Sequence, residues 1–230
     1  MQYSTFAAID IGSYDVILEI FEISKKQGIR SVDKICHRME LGKDTYTLGK
    51  IRPEMEEELC RVLADFVRIM EGYRVDDYRA AASSAISEAS NSLYVLGKIH
   101  QLTGLSVTVL SNSEQRFLSY KALAAMEDNF NKIIEKGTAI LDLDGGSFQI
   151  SLFDKDALVT TQNIRMGSLR IRERLAGIQS ETEHYEEMVE ELIWNEVSSF
   201  KKMYLKDRKI ENIMLIGDVF TDSVYQNIEE

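Results

Sequence analysis

The sequence predicts an α/β protein built from two related lobes, and three observations carry that prediction. The chain opens as a β-meander, short apolar strands and amphipathic helices then alternate, and near residue 139 the opening pattern begins again.

Residues 3–11 form an apolar strand that runs into Gly12-Ser13, and 15–23, rich in Ile, Val and Phe, read as a second strand. Ser24-Lys25-Lys26-Gln27-Gly28 supplies the turn into a third strand over about 29–38. Pro53, the only proline, suits the first turn of a helix, and Met55, Leu59, Val62, Leu63, Phe66 and Met70 recur behind it at helical spacing. Cys60 falls on that stripe and reads as a core residue. Strands are expected over 78–82 and 105–110, with a helix over about 88–102 between them and another over about 113–126 after them. Strands alternating with helices imply a parallel portion of the sheet.

The repeat appears when Ala7-Ala8-Ile9-Asp10-Ile11-Gly12 is set over Ala139-Ile140-Leu141-Asp142-Leu143-Asp144. Both are apolar strands that end in an Asp and small residues, and each continues into a second strand, over 16–21 and 148–153. Asp154-Lys155-Asp156 turns the second hairpin, a long helix over about 183–204 follows, and a strand over 212–216 ends at Gly217. We therefore expect lobe I over 1–124 and a C-terminally incomplete lobe II over 125–230, with a cleft between lobes joined by a helix near 113–128. The acidic run over 181–191 reads as a solvated helix face, and Trp194 as core.

Composition narrows the function. With 44% hydrophobic and 28% charged residues, disordered and fibrous classes are excluded. A formal charge of −11 argues against an electrostatic grip on nucleic acid or an anionic membrane. No apolar run approaches the roughly 20 residues that span a bilayer. The N-terminus lacks the pattern of a secretory signal, so a cytoplasmic protein is expected. Cys36 and Cys60 form no paired motif, and His37, His100 and His184 stand far apart, which leaves no zinc constellation.

A strand ending in Asp-x-Gly-Ser or Gly-Gly-Ser can present backbone N–H groups to a phosphate, because glycine allows close approach. Gly12, Ser13, Gly145, Gly146 and Ser147 are the candidate phosphate-binding residues, and Asp10 and Asp142 the candidate ligands of a magnesium ion. Gly-Ser and Gly-Gly-Ser are also ordinary hairpin turns. Their occurrence at corresponding points of a repeat favours a phosphate cleft.

Five segments now carry a resemblance: Ala8-Ile9-Asp10-Ile11-Gly12-Ser13, Ala82-Ser83-Ser84-Ala85-Ile86-Ser87-Glu88-Ala89, Leu110-Ser111-Asn112-Ser113-Glu114-Gln115, Asp142-Leu143-Asp144-Gly145-Gly146-Ser147 and Arg165-Met166-Gly167-Ser168-Leu169-Arg170. In order and spacing the chain resembles the N-terminal region of the exopolyphosphatase and guanosine pentaphosphate phosphatase family. The resemblance implies two ribonuclease-H-like lobes of the actin and hexokinase fold group, with mixed sheets flanked by helices. It also implies magnesium-assisted attack of water on a terminal phosphoanhydride of polyphosphate or a guanosine polyphosphate.

The chain departs from that family at the chemistry. The family's first loop reads Gly-Ser-Asn-Ser with an Arg two positions on, and Tyr14, Asp15 and Ile17 stand in place of the amide, hydroxyl and guanidinium. Ser87 replaces a second Arg. The general base aligns with Gln115, next to Glu114, and the closing acid of the second loop with Gln149. A glutamine amide accepts no proton near neutral pH, so base catalysis, worth roughly 10²–10⁴-fold, is not available from it. Gln115 can still orient a water.

Three readings follow. The first is a family member with weak or lost hydrolysis and a binding or regulatory role. The second is an active magnesium-dependent hydrolase with Glu114 as base, Asp10 and Asp142 on the metal, and Arg165 or Arg170 on phosphate. The third is a sugar-type kinase, which the degraded loop at 217–221 disfavours. A short second lobe also predicts exposed apolar surface and a homodimer.

Overall fold

The computed structural model describes residues 3–126, 130–176, 184–206 and 208–217. The chain divides into two compact units, Met1–Gln115 and Arg116–Glu230.

In the first unit, β1 (Ser4–Ile11), β2 (Asp15–Ser24) and β3 (Gly28–Arg38) form the expected meander. Helices α1 (Leu41–Leu48) and α2 (Pro53–Tyr73) lead to β4 (Asp77–Ala82), which lies parallel to β1. A single turn, α3 (Ser84–Ser87), precedes α4 (Ser92–Thr103) and the short parallel strand β5 (Val107–Val109). The sheet order is β3-β2-β1-β4-β5. Helix α2 starts at Pro53, whose missing N–H costs nothing at that position, and buries Leu59, Leu63, Phe66 and Met70 with Cys60 on the same stripe. Each such side chain contributes about 1.5–3 kcal/mol of burial. Val95 and Ile99 bring α4 into that core.

In the second unit, α5 (Asn112–Met126), whose first residues belong to the first unit, and α6 (Phe130–Ile134) precede β6 (Thr138–Leu143), β7 (Phe148–Asp154) and β8 (Ala157–Ile164). Helix α7 (Ser168–Leu175), helix α8 (Tyr185–Phe200) with a wider π-turn over Lys201–Leu205, and β9 (Asn212–Ile216) follow. The order β8-β7-β6-β9, with β6 antiparallel to β7 and parallel to β9, repeats the first four strands of the other sheet. One face of β6 carries Ile140 and packs with Phe130, Ile134 and Phe153, while the other carries Leu141 and packs with Leu152, Ile164 and Phe200.

Three expectations change. The strand expected over 105–110 is only Val107–Val109, and α1, α3, α6 and α7, of four to eight residues, are too short to show a helical period. Trp194, expected in the core, is 63% exposed on α8. Residues 218–221 of the last loop, and the acidic run before 184, lie outside the described residues.

Candidate functional site

Each unit presents a hairpin turn at the carboxyl end of its first strand, and the two turns are built alike. Gly12 N–H donates to Asp15 O at 3.0 Å, and Asp144 N–H donates to Ser147 O at 3.0 Å. Behind the turns, Asp10 faces Ile17 across β1–β2, and Asp142 faces Gln149 across β6–β7. A later helix holds each turn by its carbonyls. At α1, Gly42 N–H donates to Ser13 O at 2.8 Å, and Met39 and Glu40 N–H donate to Tyr14 O. At α7, Ser168 N–H donates to Asp144 O at 3.1 Å and Leu169 N–H to Gly145 O at 3.0 Å, while Arg170 Nε donates to Gly146 O at 2.6 Å. Arg170, weighed above as a phosphate ligand, thus anchors the loop. Contact is so close that a Cβ on Gly167 would lie 2.4 Å from Asp144 O.

The two turns differ in what they leave available. Ser13 is 5% exposed, and its hydroxyl lies 2.6 Å from Tyr46 Oη and 3.3 Å from Ser84 Oγ, with Tyr46 and Ser84 2.8 Å apart. The first-loop hydroxyl is therefore satisfied within the unit. In the second turn, the N–H groups of Gly145 and Gly146 and the Ser147 hydroxyl have no hydrogen-bond partner among the described residues. Gly145 and Gly146 are buried, and buried unpaired donors mark a place for an anion or ordered water.

The acidic candidates are also unlike each other. Asp10 is exposed, whereas Asp142 is 8% exposed and receives a long 3.5 Å hydrogen bond from Ser119 Oγ on α5. Gln149, also 8% exposed, lies between Asp142 and Asn163 across the strands. An amide here adds no second negative charge beside Asp142. Asp10 and Asp142 belong to different units, and no group of three or more His, Cys, Asp or Glu able to hold a cation occurs among the described residues. Magnesium is commonly held by one or two carboxylates together with phosphate oxygens, so an ion at either Asp would arrive with a phosphate chain.

Glu114 is committed elsewhere. Its Oε2 accepts from Ser111 N–H at 2.9 Å and Ser111 Oγ at 2.7 Å, while Glu114 N–H donates to Ser111 Oγ at 3.2 Å. This reciprocal pair is a capping box at the start of α5. The hydrogen bonds from Ser111, backbone first and hydroxyl second, hold the Glu114 carboxyl below its ordinary range, with Arg79 helping. A carboxylate so stabilised is a weaker base. Gln115, on the following residue, is half-buried. Near the first turn, burial pushes the Asp15 carboxyl up, partly offset by a hydrogen bond from Cys36.

Sequence reasoning gave no role to Tyr46, Ser84 or Ser119; Ser84 lies within the second motif segment, but all three reach the turns only through the fold. Ser111-x-x-Glu114 did carry the signature of a cap.

Against this geometry, a model of the Ppx/GppA phosphatase family matches residues 19–230. The chain belongs to this family. The match takes in four of the five motif segments, Ala8–Ser13 lying before its first residue, and confirms the resemblance. Among curated proteins it is similar to the bifunctional 3-dehydroquinate synthase/phosphatase of Fusobacterium nucleatum, 22% identical over 97% of this chain but 34% of that protein. It is 25% identical to exopolyphosphatase 1 of Mycobacterium leprae over 62% of this chain and 41% of that one. The chain thus spans well under half the length of these relatives. A solved structure of the Aquifex aeolicus Ppx/GppA family member matches with TM-score 0.70 and 22% identity, over 96% of this chain and 68% of that one. At that identity the match shows the fold: two ribonuclease-H-like lobes in an α/β chain. No helix among the described residues is long and apolar enough to cross a membrane.

Proposed function

We propose that this Ppx/GppA family member binds the phosphate chain of polyphosphate or a guanosine polyphosphate, with its magnesium, and hydrolyses it weakly or not at all. The observation that carries this reading is a phosphate cradle without its acids. Gly145, Gly146 and Ser147 offer unpaired donors, while Gln115 and Gln149 stand where the family resemblance places the base and the closing acid. Arg170 acts as a positioning residue that fixes the cradle through Gly146 O. The opposite reading, an active hydrolase, has support from the name of the Fusobacterium relative, which includes a phosphatase. It needs a base other than Glu114, whose carboxylate serves the cap.

Two measurements on the same preparation test the proposal. Calorimetry with polyphosphate and magnesium should give saturable binding that Ser147→Ala weakens. Phosphate release from polyphosphate and guanosine pentaphosphate should stay far below about 1 s⁻¹ in the wild type, the lower end of ordinary turnover. Gln115→Glu should raise release toward the roughly 10²–10⁴-fold a general base supplies. Wild-type turnover above that threshold overturns the loss of catalysis, and absence of binding overturns the cradle.

A further inference from the structure

The two turns share their backbone plan but use their arginines differently. In the second, Gly146 O is held by a guanidinium, Arg170 Nε donating at 2.6 Å. At the matching place in the first, Tyr14 O is held by backbone, accepting from Met39 N–H at 3.0 Å and Glu40 N–H at 2.9 Å. The arginine beside the first turn is Arg38, and its guanidinium takes no part in that anchoring.

Strand β3 is antiparallel to β2 and so runs in the direction of β1, which brings its last residue, Arg38, to the turn end of the sheet. Arg38 there lies directly opposite Asp15. Its Cζ sits over the Tyr14 ring, 4.2 Å from the centroid. Its one ion pair among the described residues is with Glu40, at a long 3.7 Å, and its side chain is 62% exposed. Exposed pairs of that kind hold a cation only weakly. The ring holds it in a different way, because a cation–π contact uses the face of the guanidinium and leaves the N–H rim for an anion. Tyr14 is a shelf, and Arg38 keeps its fork of donors.

The tip of the turn adds donors of its own. The Ser13 hydroxyl is satisfied by Tyr46, but Ser13 N–H and Tyr14 N–H have no hydrogen-bond partner among the described residues, although Ser13 is buried. They occupy the places that Gly145 and Gly146 hold in the second turn. Successive free N–H groups beside a guanidinium make a concave site for an anion. Asp15, the acid of the turn, accepts a hydrogen bond from Cys36, which lies opposite Ile17. Its carboxylate is therefore drawn back along the strands, away from the tip.

We infer that the first turn is a phosphate site of its own, with Arg38 as the charged ligand, Ser13 and Tyr14 N–H as backbone donors, and the Tyr14 ring as the positioning group. For its ligand class the inference rests on the phosphate-chain reading above. It assigns the charge to β3, whereas the resemblance places a guanidinium at 17, an isoleucine in this chain. Tyr14 and Arg38 thus act as one device.

The test is a titration of the full ¹⁵N-labelled chain with tripolyphosphate and magnesium, read by NMR at the amides of Ser13, Tyr14, Gly145 and Gly146 and at Arg38 Nε–H. Signals of both turns and of Arg38 should move saturably. Arg38→Ala should raise the midpoint read at Ser13 and Tyr14 at least about tenfold, the loss of a charge-assisted pair. Tyr14→Leu should raise it roughly threefold, the worth of an exposed cation–π contact, and Tyr14→Phe, which keeps the ring, should leave it unchanged. Unchanged far-UV circular dichroism will establish that the variants fold. Movement at Gly145 and Gly146 with none at Ser13, Tyr14 and Arg38 overturns this inference and upholds the second cradle. Movement confined to the first turn upholds the inference and overturns the cradle, and silence at both turns overturns both. A first-turn midpoint indifferent to Arg38→Ala overturns the assignment to Arg38, and one indifferent to Tyr14→Leu overturns the shelf.

Discussion

Gln149→Glu is the substitution whose outcome the register of β6 and β7 decides. Asp142 and Gln149 are direct cross-strand partners, each 8% exposed. Directly opposed residues in an antiparallel pair have Cβ atoms about 4.5–5.5 Å apart. A carboxylate at 149 would therefore stand about 5 Å from Asp142, and at an effective dielectric of about 20 the repulsion is about 3 kcal/mol. The introduced acid is raised in the folded state relative to the unfolded chain. Its cost is absent at a pH low enough to protonate both carboxyls in both states and grows as pH rises through the folded value. At neutral pH the midpoint should fall on the order of 10 °C relative to the wild type, and at pH below about 4 the two proteins should melt together. Differential scanning calorimetry between pH 3.5 and 8 measures this. Equal melting at pH 8 would refute the argument, because the two side chains could then share neither a face nor a low-dielectric site. The same number warns that the family's acid returns to this position only with a compensating cation, so activity tests should pair Gln149→Glu with magnesium and a phosphate chain.

Removing the cap by Ser111→Ala should cost about 1 kcal/mol in urea unfolding. It should also let the Glu114 carboxyl rise toward its ordinary value in an NMR titration; in the wild type, the stability due to this carboxyl is complete above the unfolded glutamate range and is lost as pH falls through the lowered folded value. Gly167→Ala should lower stability by more than about 2 kcal/mol and abolish polyphosphate binding, since its Cβ would fall 2.4 Å from Asp144 O and from the Gly145 backbone. Tyr46→Phe removes the partner shared by Ser13 and Ser84 and should cost about 1–1.5 kcal/mol, with phosphate binding at the second turn unchanged.

The fold was legible because its signals are local or repeated. Apolar alternation marked β1 to β3, the stripe from Met55 to Met70 marked α2, and the matching Asp10 and Asp142 strands exposed the duplication. What escaped depends on partners distant in sequence. Ser13 is separated from Tyr46 by 33 residues and from Ser84 by 71, and Arg170 from Gly146 by 24, so no window of residues could announce those bonds. Glu114 is the reverse case. Its local signal, Ser111-x-x-Glu114, was present, but two physical roles compete for one carboxylate, and only the bond lengths decide for the cap. Trp194 misled for a third reason, because an apolar residue on a helix reports a buried face without saying whether its own chain buries it.

The parallel pairings give the chain a timetable for folding on the ribosome. Strands β1, β2 and β3 are joined by tight turns and can pair as they emerge, but the second edge of β1 waits for β4, with Phe6 partnered by Asp77. At about 5–20 residues per second, the stretch from the end of β3 to the end of β4 leaves that edge unpaired for about 2–10 s. The delay recurs when β6 waits for β9, with Thr138 partnered by Asn212. During each wait a central, apolar strand is temporarily an outer one, so the nascent chain is most vulnerable to wrong pairing while its two longest helices, α2 and α8, are being made.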